Sequence, residues 1–211
     1  MKVSVSILSS SIKGEEIVKK LNNTEADYIH VDIMDGKFVE NKTWTFSEVK
    51  KMVKSSNLPL DVHLMVKNPE KYIEDYALMN TEQIAFHYEA VHDIDKMIDI
   101  IKNYGLKVGI AINPDTDIEV VYPYLKSIDE ILVMSVFPGK SGQTFIESSV
   151  DKIRKLKEEI VRQNAKTIIS VDGGINEETG LQCSEAGVDI LVSASFLHKD
   201  LVNNINLLKN L

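Results

Sequence analysis

Cysteine occurs once in this chain, at Cys183, so no internal disulfide can form. Within a predicted helix from Glu177 to Ala186 the thiol reads as apolar packing, and such cysteine usage predicts a reducing, cytoplasmic setting. Long apolar runs are also missing: none approaches the roughly 18 residues that a membrane span needs. The opening stretch MKVSVSILSS has neither a long apolar centre nor a cleavage site, and it reads as a first strand rather than a signal peptide. Basic clusters are absent, and 24 Lys and Arg stand against 32 Asp and Glu, for a net charge of −8. That balance argues against nucleic acid and membrane surfaces as partners, and any bound anion must be held by local groups. Linkers, low-complexity tracts and sequence repeats are missing too, which predicts one domain over residues 1–211.

What is present is a rhythm. Strand-like runs occur at Val3–Leu8, Tyr28–Asp32, Leu60–Met65, Gln83–His87, Lys107–Ile112, Glu130–Ser135, Thr167–Asp172 and Asp189–Ser193. Helical spacing fills the gaps, over Ile12–Leu21, Phe46–Lys54, Pro69–Met79, Asp93–Tyr104, Asp117–Leu125 (interrupted by Pro123), Ser148–Gln163, Glu177–Ala186 and Leu201–Leu211. Strict alternation predicts parallel strands with crossover helices, and eight units predict an α/β fold, a closed (β/α)8 TIM barrel. An open doubly wound sheet would carry a Gly-rich turn after its first strand. Here Ser9, Ser10 and Ser11 follow, with no glycine before Gly14.

In a barrel the reactive rim is the C-terminal end of the strands. Ser6, His30, Asp32, His63, His87, Asn113 and Asp172 all fall at or near such ends. His30 and Asp32 are two apart on one strand and share a face. With His63 on the next strand and Asp172 across the mouth, they form a candidate site for one divalent metal. Imidazole with carboxylate suits Zn, Fe(II), Mn or Co better than Mg or Ca. Asp35 reads as a turn former before Gly36.

The segments HVDIMDGKFVEN, DVHLMV, FHYEA, VMSVFPGKSGQTF and VDGGI, in order from Val5 to Ser195, resemble the motifs of the ribulose-phosphate 3-epimerase family. The resemblance implies Asp32 and Asp172 as the two acid/base residues, and His30, Asp32, His63 and Asp172 as ligands of the divalent metal ion. It implies a substrate pocket of Ser6, His63, Met34, Met65 and Met134, a loop Gly139-Lys140-Ser141-Gly142 over the substrate, and phosphate held near Gly173, Gly174, Ala194 and Ser195. His87 would line that pocket. The implied reaction interconverts D-ribulose 5-phosphate and D-xylulose 5-phosphate by proton transfer at C3 through an enediolate, as in the pentose phosphate pathway. The implied partner is a small sugar phosphate, and the implied assembly a homo-oligomer.

Three departures bear on the substrate. The family has Phe-Gly at Lys140-Ser141, Gly-Ser at Ala194-Ser195, and Pro at Glu40. Ala194 adds a Cβ beside the expected phosphate, so a ketohexose phosphate such as D-allulose 6-phosphate is an alternative substrate. A decarboxylase of the related barrel group would need Asp-x-Lys-x-x-Asp, and Asp32-Ile33-Met34-Asp35 has no lysine. A metal-dependent hydrolase could use the same ligands. A non-catalytic sugar-phosphate-binding protein would be expected to lack one carboxylate, and both are present.

Overall fold

A computed structural model describes residues 1–8 and 14–211. Eight parallel strands close into a barrel in sequence order: β1 (Lys2–Ser6), β2 (Tyr28–Met34), β3 (Leu60–Met65), β4 (Thr81–His87), β5 (Lys107–Ile112), β6 (Glu130–Met134), β7 (Ile168–Asp172) and β8 (Ile190–Ser193). The helices α1 (Gly14–Leu21), α2 (Phe46–Val53), α3 (Ile73–Ala77), α4 (Ile94–Asn103), α5 (Ser148–Gln163), α6 (Glu177–Ala186) and α7 (Leu201–Lys209) return the chain between strands and after β8. The expected (β/α)8 barrel is therefore the observed fold. Ser9, Ser10, Ser11 and the first two residues of the expected Ile12–Leu21 helix lie outside the described residues.

The strand sequences explain the layering. Successive side chains point to opposite faces of a strand. Outward residues such as Val31, Ile33, Val62, Leu64, Ile84, Ile110, Val133 and Val171 join helix residues Ile17, Leu21, Ile101, Ile153 and Leu156 in the main core. A second, smaller apolar group (Ala85, Ala111, Leu132, Met134, Val136, Val192) is buried apart from that core, on the inner side of the wall. Buried polar residues share the inner positions: Ser4, Ser6, His30, Asp32, Asp61, His63, Gln83, His87, Glu130 and Ser170.

Several connections depart from a plain helix, with short 3-10 turns at Tyr88–Ala90 before α4 and Leu197–Lys199 before α7. Between β5 and β6 the chain forms a 3-10 segment, Ile118–Tyr124, because Pro123 removes an N–H and disfavours α-helix in the residue before it. Between β3 and β4, a 3-10 turn at Pro69–Lys71 precedes α3.

Candidate active site

Register brings the predicted residues together. On β2 and β3, Asp32 pairs with His63 and His30 with Asp61, so two inward layers stand side by side. On β6 and β7, Met134 pairs with Asp172. One ligand atom each from His30, Asp32, His63 and Asp172 lies within 4.8 Å of the others. Asp32 Oδ1 is 3.3 Å from His30 Nε2 and 3.2 Å from His63 Nδ1, and Asp172 Oδ2 is 3.8 and 3.9 Å from the same nitrogens. Donors on a tetrahedral ion with bonds of about 2.1 Å stand about 3.4 Å apart, so these separations bracket what one ion requires.

The hydrogens of this cluster point the same way. His30 Nδ1 donates to Asp61 Oδ2 at 2.7 Å, and Asp61 also accepts from the Ser4 hydroxyl at 2.7 Å and the Gln83 amide at 3.0 Å. A carboxylate accepting three donors fixes its neighbour's tautomer, leaving His30 Nε2 turned to the cavity. That buried nitrogen has no hydrogen-bond partner among the described residues. It faces carboxylate oxygens, and such a convergence of acceptors calls for a cation. The residues present therefore fit a divalent ion, and the group could bind one.

The two aspartates titrate apart. Burial opposes the charge on Asp32, but the adjoining His30 and His63 imidazoles outweigh it and hold the carboxyl well below the usual range. The Ser6 hydroxyl also donates to Asp32, at 2.8 Å. Burial and the charge of Asp32 push Asp172 up to about 7. Burial also acts on the imidazoles. It pushes His63 and His87 down, His87 to about 4. Burial would lower His30 as well, but the Asp61 and Asp32 carboxylates raise it well above the usual range, putting a proton where a metal would supply charge.

Above the cluster opens a cavity with roughly 520 Å³ of space, part of it open to solvent. Of the expected pocket residues, Ser6, Met34, Met65, Met134, Gly139, Lys140, Ser141, Gly142, Gly173, Gly174, Ala194 and Ser195 line it, with Asp32 and Asp172 at its floor. His63 lies behind the lining, wholly buried. The loop over the mouth is tied down by Asn41 donating to Gly139 O at 2.7 Å, and by Gln143 donating to Phe137 O and Lys140 O. Gly173 and Gly174 have φ of +120° and +66°, and a Cβ on either would stand 2.5 Å from Val136 Cγ2 or 2.8 Å from Phe145 N. Their lack of side chains is thus required by packing as well as by any approach of backbone to an anion.

Three residues of the network were not singled out for their observed places. His87 does not line the cavity. It sits behind His63, buried under the Phe38 ring with centroids 4.7 Å apart. Glu89 and Asp61 hold hydrogens from ring nitrogens, and only the His87-x-Glu89 spacing gave any signal of this in the sequence. Asp35 does shape its turn, accepting from the backbone N–H of Lys37, Phe38 and Lys67.

Comparison with known proteins agrees with this geometry. Residues 2–198 match the profile described as the ribulose-phosphate 3 epimerase family. Ribulose-phosphate 3-epimerase of Methanocaldococcus jannaschii is 41% identical over 196 residues, covering 92% of this chain and 83% of that protein. The Bacillus subtilis enzyme of that name is 38% identical over 201 residues, covering 94% and 92%. The one from Chlamydia pneumoniae is 38% identical over 199 residues, covering 90% and 87%. Among solved structures, a tryptophan synthase α-subunit from Pyrococcus furiosus superposes with TM-score 0.70 at 14% identity, over 100% of this chain and 98% of that one. A thiamine phosphate pyrophosphorylase from the same organism gives 0.63 at 16% identity, over 99% and 94%. At such identity these two likenesses speak for the barrel alone, whereas the sequence relatives share length, order and identity with this chain throughout. The chain belongs to the ribulose-phosphate 3-epimerase family.

Proposed function

We propose that the protein is a ribulose-phosphate 3-epimerase, interconverting D-ribulose 5-phosphate and D-xylulose 5-phosphate in the pentose phosphate pathway. The observation that carries this reading is the meeting of two carboxylates, Asp32 and Asp172, at one cavity floor beside His30 and His63, with burial favouring the protonated form of Asp172 and the histidines the anion of Asp32. Inversion at a carbon needs a base on one face and an acid on the other, and environments that push two carboxyls apart assign those parts. Asp32, kept anionic by the histidines and the Ser6 hydroxyl, takes the C3 proton. Asp172 delivers a proton to the opposite face of the enediolate, and the roles exchange in the reverse direction.

His30, Asp32, His63 and Asp172 would hold one divalent ion, with Zn, Fe(II), Mn or Co as candidates for such a donor set. When bound, the ion supplies positive charge for the C2 oxygen on which negative charge develops. Met34, Met65 and Met134 crowd the reacting carbon and keep water from it. Backbone N–H groups near Gly173, Gly174, Ala194 and Ser195 take the phosphate, under the loop Gly139-Lys140-Ser141-Gly142. The reading carries a cytoplasmic setting, supported by the lone buried thiol, and a homo-oligomer, supported by exposed apolar residues such as Val161, Leu181 and Val202. No helix among the described residues is long and apolar enough to cross a membrane.

The test is proton NMR of D-ribulose 5-phosphate with metal-loaded protein in D2O. Deuterium should appear at C3 as xylulose 5-phosphate accumulates, and a ketohexose 6-phosphate should exchange more slowly. Cleavage of the substrate, or exchange confined to the hexulose, would overturn the assignment.

A further inference from the structure

His63 turns Nδ1 toward the carboxylates of Asp32 and Asp172. Its other nitrogen points away from the cavity, with Nε2 2.9 Å from Nε2 of His87. Two imidazole nitrogens at this separation share one hydrogen, so one ring donates and the other accepts. The choice is made at the far side of His87. There Nδ1 lies 3.1 Å from Glu89 Oε2, while Glu89 Oε1 accepts from the Asn113 backbone N–H at 2.8 Å and from the Thr116 hydroxyl.

A carboxylate that already accepts from the Asn113 N–H and the Thr116 hydroxyl can only accept again, so the hydrogen of His87 sits on Nδ1. His87 is wholly buried and carries one hydrogen, which leaves its Nε2 as a lone pair. The shared hydrogen must then come from His63 Nε2, and His63 Nδ1 is left bare toward the cavity. The opposite tautomer would point the His63 Nδ1–H at Asp32 Oδ1, 3.2 Å away, where it would block an ion, and would set the His87 Nδ1 lone pair against the Glu89 carboxylate.

We propose that His87, anchored by Glu89, is a positioning residue that locks His63 in the one tautomer whose Nδ1 can bind the divalent ion. The proposal rests on the metal reading above and adds residues outside the four ligands. It also separates the two imidazoles. His30 donates straight to the Asp61 carboxylate, whereas His63 reaches its nearest outer carboxylate through a second ring. The Phe38 ring covers that second ring. Outer partners of this kind typically contribute about 10–100-fold in metal affinity.

The lock is tested with His87→Phe, which fills the space without an acceptor, and His87→Gln, which restores one. Zinc affinity is measured by chelator competition, and long-range 1H–15N spectra locate the ring protons. His87→Phe should bind zinc about 10–100-fold more weakly than the parent, and His87→Gln should recover most of the loss. In the parent, zinc-loaded or metal-free, His87 should be protonated on Nδ1. In the zinc-loaded parent the hydrogen between the rings should reside on His63. Should His87→Phe not fold, Glu89→Gln removes the anchor and should weaken zinc binding in the same direction. A parent with His87 protonated on Nε2, or a folded His87→Phe that binds zinc as tightly as the parent, would overturn the proposal. Zinc that fails to bind the parent at all would overturn the metal reading instead, and the metal-free spectra would still decide the tautomer.

Discussion

At the scale of single residues, the proposed function turns on one hydrogen that Asp32 and Asp172 would exchange with a carbon. Asp172 sits where burial and a neighbouring charge keep it protonated, while Asp32 is held anionic less than 5 Å away. Asp172→Asn retains the shape and the donor capacity but removes the ability to take up a proton. Turnover, measured as C3 exchange in D2O, is expected to fall by at least about 10²–10⁴-fold, with the circular dichroism spectrum unchanged. Substantial epimerisation by the folded variant would refute the two-base reading. The pH–rate profile should be bell-shaped in both directions, because each direction needs one carboxyl charged and the other protonated; a rate that only rises with pH would speak against it. The placement of His30, Asp32, His63 and Asp172 was legible because strand alternation turns all four to the inner face, and barrel closure brings those inner faces of β2, β3 and β7 together. Asp61 was not legible. A residue's hydrogen-bond partner across strands depends on register, which spacing along one strand does not encode.

At the scale of elements, the barrel is bracketed at its lower rim by a recurring device. Asp27, Asp129 and Asp189 each precede an even-numbered strand. Their carboxylates accept from Val3 N–H at 2.8 Å, Val108 N–H at 2.9 Å and Ile169 N–H at 2.8 Å on the strand before. Each also donates its own N–H back to that strand, to Val3 O, Val108 O and Ile169 O. These brackets set where β2, β6 and β8 begin, at the end of the barrel opposite the reacting cavity. Asp189→Ala leaves the Ile169 N–H unpaired and should cost about 1–3 kcal/mol, lowering Tm by roughly 2–4 °C per kcal/mol while kcat and KM stay within twofold. A matching loss of kcat would mean that the bracket also shapes the mouth. The sequence predicted β3, β5, α5 and α6 with their observed limits, since apolar period and flanking residues agree there. It overextended Asp117–Leu125 as a helix, because apolar spacing cannot tell a 3-10 segment from an α-helix once a proline interrupts the pattern.

At the scale of the whole molecule, the strands bury a polar interior as well as an apolar exterior, and that choice ties global stability to pH. Glu130 projects into the barrel below the His30, Asp32, His63 and Asp172 cluster, and a Cβ on Gly109 would stand 2.8 Å from its Oε2. Burial and the charge of Asp61 raise its carboxyl from 4.5 to about 8. The unfolded chain releases this proton near pH 4.5, while the folded chain keeps it until about pH 8. Across that window the folded state binds more protons, so this group subtracts stability as pH rises. Glu130→Gln removes the ionisation while keeping nearly the same volume. Its Tm relative to the parent should therefore climb steadily between pH 5 and pH 8. The advantage should reach at least about 1 kcal/mol, or roughly 2–4 °C, at the upper end. Scanning calorimetry of the metal-free proteins across that range would show it, and two parallel Tm curves would mean that Glu130 loses its proton in the folded barrel as readily as in the open chain.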